Sequence, residues 1–334
     1  MIETVVRRRG LFSLAATTLI GASISGCSLR PSVASQGWSK VLVSEAYIPV
    51  RSDWQHSVAP DQVSLFSDMW MESAGSPYRL IVGSPTSVSD PQATGAEVNA
   101  ALRSVLSGYS VTTQEQVMER DSATIRFCDF EAEPEFAKQG RFWIVHNKAS
   151  SVCAALMAAN MNEEYQTVIT EGLSLLESDA PAVPDGWARV GRDNITLAVP
   201  RDWSVNGAPS HSKRWKESWA DADLDGSTRS RLLLASNLGK TKIVDALAQI
   251  ESDSIAGALK GYNRRSAPVV AKVRQDKVSG TRVDFIYGTS KSQGSLWVFE
   301  ASGVTSAVLL TFADKSNADT VAVVEKSIWF NNIG

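Results

Sequence analysis

Gly37-Trp38-Ser39-Lys40-Val41 returns as Gly186-Trp187-Ala188-Arg189-Val190, 149 positions later, and much of the chain repeats behind it. Asp53-Trp54 recurs as Asp202-Trp203, and Phe66 with Trp70 maps onto Trp215 with Trp219. Further along, Arg79-Leu80-Ile81-Val82 answers to Arg231-Leu232-Leu233-Leu234 and Leu106-Ser107-Gly108-Tyr109 to Leu259-Lys260-Gly261-Tyr262. Gly140-Arg141-Phe142-Trp143 corresponds to Gly294-Ser295-Leu296-Trp297, by which point the offset has drifted to 154 as loops change length. Eight of the ten tryptophans pair in order: Trp38 with Trp187, Trp54 with Trp203, Trp70 with Trp219, Trp143 with Trp297. Rare residues recurring in order mark a duplicated structural unit. A chain of 334 residues with 43% hydrophobic content is too long for one ordinary core and too apolar to be disordered. It divides into two copies of about 145 residues, each long enough to bury close to 70% of its unfolded surface. Ser178-Asp179-Ala180-Pro181-Ala182-Val183-Pro184-Asp185 reads as the linker between them. The expected organisation is a first domain over 37–178, a linker at 179–185 and a second domain over 186–334.

Within the second copy Ile195 to Val199 alternates as a strand ending at Pro200, and Arg229 to Ala235 is a strand with an apolar centre. Lys242 to Lys260 carries Ile243, Leu247, Ile250, Ile255 and Leu259 at helical spacing, giving a helix or two short ones. Val283, Phe285 and Tyr287 alternate as a strand. Leu296 to Glu300 and Thr305 to Phe312 flank Ser302-Gly303 as a hairpin, and Ala318 to Ile328 closes as a helix. The first copy supplies strands at Ile125–Phe127, Phe142–His146 and Val152–Met157 and a helix over Glu163–Leu176. This order predicts an α+β fold, an antiparallel sheet flanked by helices in an α/β/α sandwich, present twice in tandem. Cys128 and Cys153 fall on the outer strands of a three-strand meander, about 9 to 10 Å apart, which is beyond disulfide reach.

Gly-Trp before an alternating strand, Val199-Pro200-Arg201-Asp202-Trp203, and a last helix running into Ile328-Trp329-Phe330 resemble the PsbP-like fold, and more narrowly the LpqN-like lipoproteins of actinobacteria. The resemblance is one of core aromatics, spans each copy, and carries no catalytic signature. It implies an accessory or binding module that acts through protein contacts at a membrane surface.

The amino-terminal segment reads as an address. Arg7, Arg8 and Arg9 precede the apolar run Leu11 to Ala22, which is too short to span about 30 Å of hydrocarbon and has the layout of a secretory signal. Ile24-Ser25-Gly26-Cys27 resembles the lipobox of bacterial lipoproteins, in which the Cys thiol is diacylated (palmitate is the expected modification) and becomes the new amino terminus. Arg8-Arg9-Gly10-Leu11-Phe12 also resembles a twin-arginine signal, and the export route stays open. Residues 1–26 are thus expected to be removed as a lipoprotein signal peptide, and 27–36, small and polar, to form a lipidated tether. Removing Glu3 and three arginines leaves 30 basic and 35 acidic residues, a net charge of about -5. An acidic surface is repelled by anionic headgroups, so the membrane anchor is the lipid on Cys27.

Chemistry-bearing motifs are few. Charge is nearly balanced, with Lys+Arg 33 and Asp+Glu 36, which disfavours nucleic acid. Asp221-Ala222-Asp223-Leu224-Asp225-Gly226 opens like a calcium loop, but Arg229 and Leu232 stand where further oxygen ligands belong, and turn chemistry alone accounts for Asp225-Gly226. His56, His146 and His211 have no second His or Cys at ligand spacing, so no metal site is assigned. No Gly-x-Ser-x-Gly elbow is present, and Gly239-Lys240-Thr241 lacks the first glycine of a phosphate loop. The paired tryptophans are expected in the core, and Lys213, Arg214 and Lys216 form a solvated basic face around Trp215. The sequence therefore points to a non-enzymatic lipoprotein on the outer, extracytoplasmic face of the cytoplasmic membrane. It would need no cofactor and act on an unidentified envelope protein. A small-molecule or lipid carrier, or an enzyme of envelope metabolism, are the alternatives, and the seam between copies is the default ligand site.

Overall fold

The computed structural model describes residues 37–59, 65–73, 75–85, 90–120, 123–148, 150–176, 180–205, 212, 214–222, 228–313 and 317–331. These lie within one compact unit, Val33–Gly334. The first half runs β1 (Trp38–Val43), β2 (Ala46–Arg51), β3 (Gln55–Val58), β4 (Phe66–Met71), β5 (Tyr78–Gly83), α1 (Pro91–Val105), β6 (Ser110–Val111), β7 (Gln116–Arg120), β8 (Ala123–Glu131), β9 (Gln139–His146), β10 (Ser151–Ala158), α2 (Glu163–Gly172) and β11 (Ser174–Leu175). The second runs β12 (Trp187–Arg192), β13 (Ile195–Pro200), β14 (Ser204–Val205), β15 (Glu217–Ala222), β16 (Thr228–Ala235), α3 (Ile243–Asp253), β17 (Asn263–Arg264), β18 (Val269–Val270), β19 (Val278–Tyr287), β20 (Ser292–Ala301), β21 (Val304–Phe312), α4 (Ala318–Ser327) and β22 (Trp329–Phe330). Element for element the order is the same.

Each half builds its own antiparallel sheet, β3-β4-β5-β10-β9-β8-β6 in the first and β14-β15-β16-β21-β20-β19-β17 in the second, with β7 and β18 added on β8 and β19. A third sheet, β11-β2-β1-β12-β13-β22, belongs to both. Its register is Val41 to Arg192, Leu42 to Gly191 and Val43 to Val190. Because the halves are offset by 149 here, each of these pairs is exchanged for its mate by a pseudo-twofold axis through Leu42 and Gly191.

The expected helix-flanked α/β/α sandwich is therefore corrected. The protein is β-rich, with three antiparallel sheets and 47% strand against 21% helix among the described residues. One face of each eight-stranded sheet is covered by α1 or α3: Val98 and Leu102 of α1 pack with Ile144, Phe142 and Cys153, and Ala246, Leu247 and Ile250 of α3 pack with Leu296 and Val298. The opposite face packs on the shared sheet and on α2, where Trp38, Val41, Ile48 and Val50, together with Ile169, meet Trp70, Trp143 and Leu156. In the second half Ile195, Leu197 and Val199 meet Trp219 and Trp297 in the same way. A shared sheet, with α2 and α4 beside it, stands where a purely helical layer was expected because β1 of one half pairs with β12 of the other.

The helix over Glu163–Leu176 ends early, with Leu173 as its C-cap, and Ser174-Leu175 turns out to pair with β2. The mate of Trp329 is thereby Ser174. The segment over Lys242–Lys260 is a helix to Asp253 followed by a π turn, Ser254–Ala258, in which Gly257 takes φ 136. Ser302 and Gly303, at φ 50 and 74, form the two-residue turn between β20 and β21, the conformation that matches sheet twist. Cys128 and Cys153 are buried free thiols on β8 and β10, with β9 between them.

Candidate functional site

The lipobox residues Ile24, Ser25, Gly26 and Cys27, and His211, Lys213, Asp223 and Asp225, lie outside the described residues. Asp221 sits near the end of β15, beside a register shift. Among the described residues no group of three or more His, Cys, Asp or Glu side chains is placed to hold a metal ion. His146 stands at the end of β9, before the tight turn in which the Asn147 amide donates to the Ser150 carbonyl. The notable histidine is His56, to which the sequence assigned no role.

β3 and β4 pair so that His56 lies opposite Trp70, and the imidazole stacks on that indole at 4.0 Å between ring centres. Its Nε2 is 2.7 Å from Asp68 Oδ1 on β4, and its Nδ1 is 2.6 Å from Glu217 Oε2 on β15, 161 residues away. The other oxygen of Glu217 accepts from Arg192 Nη1 at 2.5 Å, and Arg192 Nη2 reaches the Ser52 carbonyl at 3.5 Å. Asp68 and Glu217 are mates under the pseudo-twofold, opposite Val82 and Leu234 respectively. One histidine is thus clasped by the same position of both halves. The signal available in the sequence was a carboxylate two residues before Trp70 and again before Trp219; nothing local pointed to His56.

His56, Glu217 and Arg192 are all but removed from solvent. Burial by itself would lower the His56 pKa, but the Glu217 and Asp68 carboxylates overcome it and push it up to about 9. Burial acts to raise Glu217, and the imidazolium and the Arg192 guanidinium overcome that, holding its carboxyl below the usual range. At neutral pH the network is two cations against two anions. An imidazole with both nitrogens spent on carboxylates is not poised to accept a proton, so His56 ties the halves together and is no general base.

Above this network runs an open groove of about 550 Å³. The shared sheet contributes Val43 and Gly191, the first half Ser67 and Asp68, the second Trp187 and Trp203. Of the eight paired tryptophans, six are buried as expected, but Trp187 and Trp203 are half-buried and face this groove. On its rim the turn between β1 and β2 holds Ser44 and Glu45 at φ 46 and 77, a left-handed conformation that costs an L-residue about 1–2 kcal/mol. Its mate in the second half is Asp193-Asn194, residue types that tolerate such turns better. No protein-family model matches the chain, and no curated protein matches it.

Proposed function

We propose that this protein is a lipid-anchored, extracytoplasmic binding module that holds a partner of the cell envelope in the groove between its two halves. The anchor is the lipid on Cys27, as the Ile24-Ser25-Gly26-Cys27 motif and the PsbP-like and LpqN-like resemblance imply. The observation that carries the binding role is the groove: an open, fixed concavity at the seam of a duplicated scaffold, with two half-buried indoles on its wall. Partly exposed tryptophans on a rigid frame contribute large contact area at low entropic cost. The reading is non-catalytic, in keeping with an imidazolium whose two N–H groups are already taken. Tethering to the membrane raises the local concentration of the groove for a partner in the same layer.

The test has two arms. Cys27→Ala should release the protein from membranes into the soluble fraction, and unchanged membrane association would sink the anchor. A photo-crosslinking amino acid placed at Ser84 in the groove should capture a partner on intact cells, while the same group at the exposed Val270 should not. Equal capture at both positions, or none at Ser84, would overturn the groove as the binding surface.

A further inference from the structure

The pseudo-twofold axis supplies each end of the seam with a mate, and the two ends are not alike. At one end Arg192, Asp193 and Lys216 fill the space: Arg192 bonds Glu217, Asp193 Oδ2 accepts from Ser236, and Lys216 lies within electrostatic reach of Arg192 and Asp193. The corresponding positions at the other end are Val43, Ser44 and Ser67, all of which line the groove. Three long or charged side chains in one half become a valine and two serines in the other, and the groove is the space they leave.

The carboxylates show what the space lacks. Glu217 gives one oxygen to His56 and the other to the Arg192 guanidinium. Its mate Asp68 gives one oxygen to His56, and among the described residues the other accepts only from the neighbouring Ser67 hydroxyl, at 2.5 Å. Asp68 is also open to the groove, its side chain 15% exposed against 2% for Glu217. Exposed Glu45 and Asp202 add negative charge at the rim. The two groove arginines are turned to carbonyls: Arg189 reaches Pro181 and Ser327, and Arg201 reaches Trp187.

We infer that the groove takes a guanidinium-bearing side chain, an arginine of a protein partner, seated against Asp68 as Arg192 is seated against Glu217. A planar guanidinium matches a carboxylate in a fork and can lie flat on an indole, which suits a groove lined by Asp68, Trp187 and Trp203. The inference rests on the groove being the binding surface, and it adds the chemical class of what enters.

The test uses the full mature protein with two probes, N-acetyl-arginine amide and its uncharged isostere N-acetyl-citrulline amide, read by tryptophan fluorescence and by chemical-shift titration. The arginine probe should saturate, with the citrulline probe at least about tenfold weaker, the loss expected when one charge-assisted contact of about 1.4 kcal/mol is removed. Val43→Arg should abolish binding by placing the chain's own guanidinium in the seat. Ser67→Lys, at an exposed position, should do the same through an ammonium group and serves if Val43→Arg fails to fold. Equal affinity for the two probes, or full arginine binding in folded Ser67→Lys, would overturn the inference. Capture at Ser84 that persists beside equal probe affinities rejects the arginine and leaves the binding module standing. Loss of both rejects both.

Discussion

The two halves carry the same tryptophans and use them differently. In the first, Trp38 meets Tyr165 edge to face at 5.2 Å and Trp54 stacks on Tyr78 at 6.5 Å, so both indoles are enclosed. In the second, the places of Tyr78 and Tyr165 are taken by Ser230 and Thr320, and among the described residues Trp187 and Trp203 have no aromatic partner. The ladders, the hairpins and the asparagine caps Asn162 and Asn317 are common to both. What has diverged is the filling around the seam. A duplicated scaffold can keep one copy closed for stability while the other gives up packing to expose a surface, because the shared sheet holds both in register.

The largest effect is expected at the clasp. Glu217→Ala leaves Arg192 buried without its anion and the imidazolium with one of its two, and should cost about 3–5 kcal/mol in denaturant unfolding. The change at its mate, Asp68→Asn, takes one charge from His56 alone, at a position partly open to water, and should cost clearly less. Near-equal losses would mean that the two carboxylates are not the unequal pair described above.

Next in size is the pH dependence. With a folded pKa of about 9 against an unfolded value of 6.5, His56 contributes stability that is complete below about pH 6.5 and is lost as pH rises toward 9. Glu217, depressed in the folded state, contributes stability that is lost on acidification below the ordinary carboxylate range. Stability should therefore peak between about pH 4.5 and 6.5 and fall by roughly 3 kcal/mol on the alkaline side. In His56→Gln that alkaline decline should vanish; a slope unchanged by the substitution would place its origin elsewhere.

Smaller again is the difference between two mated indoles. Trp38→Ala should cost about 3–5 kcal/mol, as an enclosed aromatic does, and Trp187→Ala about 2 kcal/mol less because its ring is already half in water. Equal costs would show that Trp187 is as much a core residue as its mate. The least effect is expected at the rim, where Ser44→Asn with Glu45→Gly gives the β1–β2 turn the residues its positive φ angles favour. A gain of about 0.5–1 kcal/mol in thermal unfolding would sharpen the view that this edge of the groove is held under strain.

The repeat was legible because tryptophan is rare and kept its order, and the long strands were legible from alternation. The β20–β21 hairpin is an example, with Ser302-Gly303 between two apolar runs. The shared sheet was not legible. β1 finds its partner 149 residues away, and an alternating strand carries no mark of which edge it will join. Two-residue strands such as β11 and β22 are too short for any period, and Leu173-Ser174-Leu175 extends a helical pattern until tertiary pairing with β2 overrides it. The clasp was hidden for the same reason, since Glu217 and His56 share no local motif and meet only when the halves do.

The β1–β12 ladder has a consequence for how the chain comes into being. Its formation must wait for a loop of about 150 residues to close, an entropic cost that slows folding. Until the second half is made, the finished first half presents β1 as a bare edge, with unsatisfied amides and carbonyls open to a neighbouring chain. A cut within residues 180–186 would leave two fragments still paired through the β1–β12 ladder and a histidine buried between them, so a severed linker need not part the halves.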